Sequence, residues 1–106
     1  MQDTELLQTL CNKTDGNIQI LNAISISPLI MDTLKYQLQE RSHYLVDILN
    51  NLEDSDEPEN LLMSEMENFI SFLELLTLDP TIQYNIKNEL IYRKEYLSKL
   101  FFPESN

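Results

Sequence analysis

The chain has 106 residues, with one cysteine, one glycine, four prolines and a formal charge of −11 at pH 7. That length fits one domain and buries about two-thirds of its unfolded surface, so it folds without staples. A lone Cys11 excludes an internal disulfide, a lone glycine excludes phosphate-cradling loops and dinucleotide fingerprints, and so little turn material excludes a hairpin-rich sheet.

The abundance of Leu, Glu, Gln, Lys and Met suits helices. The expected fold is all-α, an antiparallel bundle of four helices forming a single domain over residues 1–106. The alternative is three helices with a long third helix kinked at Asp79-Pro80.

The first segment carries Leu7, Leu10, Cys11, Ile18, Leu21 and Ile24 on one stripe of period near 3.5, with Thr14 in the gap. The stripe passes "TDGN" in register, so Gly16 is expected inside a long first helix, where glycine costs about 1 kcal/mol against alanine. Asp3 or Thr4 can cap its start. Cys11 reads as a small core residue. The opening "MQDTELLQ" lacks a basic segment followed by an apolar run, which argues against a signal peptide.

In "SISPLIMD", Ser27 suits an N-cap and Pro28 a first helical position, predicting a second helix over 28–52. Its stripe runs Met31, Leu34, Leu38, Arg41, Leu45, Ile48 and Leu52. Arg41 is expected to pack its stem and keep its head in water. "ERSH" sets Glu40 and His43 at the Glu-x-x-His spacing of di-iron bundles. Such a site needs a second histidine, and this chain has one.

"EDSDEPEN", residues 53–60, is an acidic connection. Pro58 fits the first turn of a third helix that carries Leu62, Met66, Phe69, Leu73 and Leu76. Leu61, Met63, Ile70, Phe72, Leu75 and Leu78 widen that apolar arc beyond one seam. Asp79 and Pro80 signal a new start, so a third helix over 59–76 and a fourth over 80–101 are expected. The fourth carries Ile82, Ile86, Leu90, Leu97 and Leu100, with Arg93 in the stripe and Pro103 as its stop. No internal repeat is read from the sequence.

Residues 53–79 hold nine acids and no base, while residues 80–106 hold three acids and four bases. Seven bases in all are too few for a nucleic-acid surface. No catalytic, metal or cofactor motif is legible, and no apolar run approaches the roughly 20 residues that span a bilayer. The expectation is a non-enzymatic cytoplasmic protein without cofactor or metal. It binds another protein, makes no direct nucleic-acid contact or membrane insertion, and is free to form a homodimer.

The stretch "FLELLTLDPTIQYNIKNELIYRKEYLSKL" resembles the FliT-type flagellar export chaperones. An apolar helix there runs into a Leu-Asp pair, followed by a helix with spaced leucines and an Arg-x-x-x-Leu ending. The matching positions are Leu78, Asp79, Ile82, Ile86, Arg93 and Leu97. Upstream, "LKYQLQERSHYLVDIL" is similar to the family's second helix at Glu40, Arg41 and Leu45, so the resemblance spans about Leu6 to Leu100. It implies a chaperone or adapter of a bacterial export system that holds a helical client on an apolar face. It also favours the helix running on through Asp79. The candidate partner-binding residues are Phe69, Phe72, Leu75, Tyr84, Ile91, Tyr92, Tyr96 and Phe101. The competing reading is an acidic inhibitor, such as an immunity protein, antitoxin or anti-defence protein, that covers a basic nuclease or other nucleic-acid-binding protein. Recognition would then fall to Glu53, Asp54, Asp56, Glu57, Glu59, Glu65 and Glu67.

Overall fold

A computed structural model describes residues 3–105. Among these the chain is all-α, with four α-helices and no strand: α1 Asp3–Ser25, α2 Asp32–Asn50, α3 Pro58–Thr77 and α4 Tyr84–Phe101. Short 3₁₀ turns follow α2 at Leu52–Asp54 and α4 at Pro103–Ser105. The chain divides into two compact units, one ending at Met63 and the other beginning at Ser64.

In the first unit α1 and α2 pack as a helical hairpin. Gly16 lies inside α1, as the unbroken stripe required. The expected cap by Asp3 or Thr4 rests on side chains outside the described set. The core here is built from Leu10, Leu21, Leu34, Leu38 and Leu45. Two buried hydroxyls are satisfied, one within its helix and one across the hairpin: Thr14 Oγ1 donates to the Leu10 carbonyl at 2.8 Å, and Ser42 Oγ donates to Asn22 Oδ1 at 2.7 Å. The second of these ties α2 to α1.

α2 does not start at Pro28. Ser27 N–H donates to the Ile24 carbonyl at 3.0 Å and closes α1. Ile30 N–H then donates to the Ser27 carbonyl at 3.3 Å, making a turn with Pro28 at its favoured second position. Met31 is the extended residue before the helix (φ −64°, ψ 148°) and makes no side-chain cap bond. The reason lies in Ile30, which the turn drives into the core. Burying an isoleucine is worth about 1.5–3 kcal/mol, more than the about 1 kcal/mol of a serine cap.

The same correction applies after α3. The chain turns over 78–83, so the kinked third helix does not occur and α4 starts at Tyr84, four residues beyond Pro80. Ile82 N–H reaches the Asp79 carbonyl at 3.4 Å, Ile82 is buried, and Gln83 (φ −65°, ψ 151°) precedes the helix without a side-chain cap. Asp79 caps the turn instead: its Oδ1 accepts from Thr81 N–H at 2.8 Å and from Thr81 Oγ1 at 2.6 Å. In the second unit Met66, Phe69, Leu73, Leu76, Leu90 and Leu97 are buried. Each buried side-chain nitrogen or oxygen among the described residues has a partner.

Candidate protein-binding surface

A row of residues four apart on a helix forms one ridge of its surface. On α4 that row is Tyr84, Asn88, Tyr92, Tyr96 and Leu100. Tyr84 and Tyr92 are 79% and 74% exposed, and Tyr96 and Leu100 are partly so. Arg93 lies at the edge of the core with its guanidinium 5.6 Å from the Tyr96 ring centroid. Burial pulls the Arg93 pKa down, and the neighbouring Tyr96 acts weakly against that. The stem-in, head-out reading of Arg41 fits its half-buried position, with the guanidinium 5.7 Å from the Tyr44 ring.

The other expected partner-binding residues divide. Leu75 is exposed, whereas Phe72, Ile91 and Phe101 are half-buried. Phe69 is only 1% exposed and belongs to the core, its ring 6.3 Å from that of Phe72 at 38°. It is not an accessible anchor, because the α3 stripe turns Leu62, Met66, Phe69 and Leu73 inward together. The sequence reading missed Ile26, Leu29, Met31, Tyr36 and Leu100, which are all exposed. The sequence places Met31 and Leu100 on the apolar stripes of the second and fourth helices and both are exposed instead, while Ile26 and Leu29 flank the turn before α2.

Of the acidic set, Glu53, Asp54, Asp56, Glu57 and Glu67 are exposed and Glu59 is half-buried. Glu65 is buried, its carboxylate accepting from Asn68 Nδ2 at 3.5 Å, so it does not belong to an acidic surface. Within the second unit Ile70, Glu74, Lys94, Glu95, Ser98 and Lys99 line an open groove of about 520 Å³, where acids and bases of similar number meet. Burial raises the pKa of the half-buried Cys11 thiol, which leaves it a poor nucleophile at neutral pH. No group of three or more His, Cys, Asp or Glu among the described residues can hold a metal ion. No described helix is long and apolar enough to cross a membrane.

No protein-family model, curated protein or solved structure matches this chain.

Proposed function

We propose that this is a non-enzymatic protein-binding adapter of the export-chaperone kind, which holds an amphipathic client helix on an exposed aromatic face. The observation that carries the reading is the α4 ridge, whose Tyr84 and Tyr92 rings stand open beside Tyr96 and Leu100. Tyrosine offers large amphipathic contact area at low entropic cost and is enriched among residues that dominate binding energy. An apolar client face laid along the ridge follows helix-in-groove recognition. The turn at Asp79 removes the continuous helix that the FliT-type resemblance favoured, so the proposal rests on the surface and not on that helix.

The test is co-purification of the full chain with its partner from the native host, followed by titration of the identified partner. Tyr84→Ala with Tyr92→Ala is expected to weaken binding at least tenfold, with the melting curve unchanged. Affinity is expected to change little between about 50 and 500 mM salt, since an interface of apolar and aromatic area carries little charge for salt to screen. Unchanged binding by the double variant would remove the proposal.

The inhibitor reading keeps one supporting observation: Glu53, Asp54, Asp56 and Glu57 form a run of exposed acids between α2 and α3. Such a run speeds association with a basic partner. It predicts a fall in affinity of about a hundredfold or more over the same salt range, and loss of binding when those acids become amides.

A further inference from the structure

The groove of about 520 Å³ in the second unit has two unlike sides. Ile70 and Glu74 come from α3, and Lys94, Glu95, Ser98 and Lys99 come from α4. α3 holds four acids, Glu59, Glu65, Glu67 and Glu74, and no base. α4 holds four bases, Lys87, Arg93, Lys94 and Lys99, against two acids, Glu89 and Glu95. The α3 side of the groove is therefore acidic. The α4 side carries a positive balance that Glu95 lowers without reversing.

These charges are not spent on one another. Among the described residues, Glu74, Lys94, Glu95 and Lys99 have no ion pair and no side-chain hydrogen bond. Glu74, Glu95 and Lys99 are exposed, while Lys94 is half-buried, where salt screens a charge less than at an open surface. The groove also borders the tyrosine ridge. Glu95 lies three residues and Lys99 seven residues beyond Tyr92, spacings that keep side chains on one side of a helix. Ile70 and the lysine stems add apolar area beside the rings.

We infer that the groove takes one edge of an amphipathic helix from a partner protein whose two flanks differ in sign, acids lying toward α4 and bases toward α3. This rests on the adapter reading and adds the charge pattern of the client and the direction in which it lies. A helix with one sign on both flanks sets like charges against one side of the groove, which rejects it. Ion pairs at such a rim add little affinity and decide register and orientation instead. The direction follows from geometry. Turning a helix end for end, with its apolar stripe still facing the groove, exchanges its left and right flanks, so only one direction satisfies both sides.

The experiment uses the full chain and four synthetic helices with the same leucine stripe. One has lysines on one flank and glutamates on the other, the second has those flanks exchanged, and the last two have lysine or glutamate on both. Tyrosine emission reports binding directly, since the chain has no tryptophan. At about 150 mM salt the field of the whole chain is screened beyond about 8 Å, so the local pattern governs. Both split helices are expected to bind about tenfold more tightly than either uniform one. A spin label at the peptide N-terminus should broaden NMR signals near Tyr84 for one split helix and near Leu100 for its isomer. Lys94→Gln with Lys99→Gln keeps the stems and leaves an acidic groove, so the preference should move to the all-lysine helix with the melting curve unchanged. Equal affinity for all four helices, lost in Tyr84→Ala with Tyr92→Ala, would overturn the charge pattern and leave the adapter reading standing. A preference of the parent chain for the all-lysine helix would do the same. A dimer of the chain that Lys94→Gln with Lys99→Gln dissociates would put a second copy in the groove and also overturn the inference. No binding by any of the four would overturn both.

Discussion

Asp79 shows how a residue's chemistry follows from its local geometry. The side-chain bond from Thr81 comes first and the backbone bond from Thr81 second, and together they hold its carboxyl below the usual aspartate range. Because the folded pKa lies below the unfolded one, the stabilisation is fully present above the unfolded pKa. It is lost as pH falls through the folded value. A carbon-detected NMR titration is expected to place the Asp79 midpoint below those of exposed aspartates, and Thr81→Ala to move it back up. A midpoint unmoved by Thr81→Ala would contradict the turn. Core leucines act on another scale of energy. Leu38→Ala and Leu90→Ala should each cost about 2–5 kcal/mol in chemical unfolding, and Tyr36→Ala should stay within about 0.5 kcal/mol.

For the elements, the sequence placed all four helices but started two of them four residues early. Ser27-Pro28 and Asp79-Pro80 carry residue types that suit both a helix start and a β-turn. What decides is whether the isoleucine two residues after the proline has a cavity to fill, and local sequence does not contain that. Ile30→Ala and Ile82→Ala are therefore expected to cost about 2–5 kcal/mol each. Ser27→Ala should cost only about 0.5–1.5 kcal/mol, the worth of an ordinary hydrogen bond. A larger loss from Ser27→Ala than from Ile30→Ala in urea unfolding would reverse that account. Gly16 offers the opposite test. It sits within α1 without a positive φ, so Gly16→Ala should raise stability by up to about 1 kcal/mol.

Charge acts on the molecule as a whole. With −11 on 106 residues and an exposed acidic connection, self-repulsion opposes the compact state. The melting temperature is expected to rise as salt goes from about 10 to 150 mM, over which the screening length falls from about 30 to 8 Å. A fall over that range would mean that favourable ion pairs outweigh the repulsion. The candidate surface was half legible in the sequence. Tyr84, Tyr92 and Tyr96 could be read as standing off the α4 seam, since helical period alone separates in from out. Phe69 already lies on the main α3 stripe and Phe72 at its edge, yet the sequence reading counts both as partner-binding candidates. They lie three residues apart on one wide apolar arc, and only the neighbours that close over an arc decide which part of it is core.

The sequence by itself determined the helical class, the inward leucines, the long α1 through Gly16 and the acidic connection. Each of these follows from residue type and a period of about 3.6 along one chain segment. Tertiary structure alone decided that the proline corners are turns plugged by Ile30 and Ile82 and that Glu65 is buried. Burial of an isoleucine outweighs the cap that local chemistry favours, and burial is a property of neighbours far along the chain.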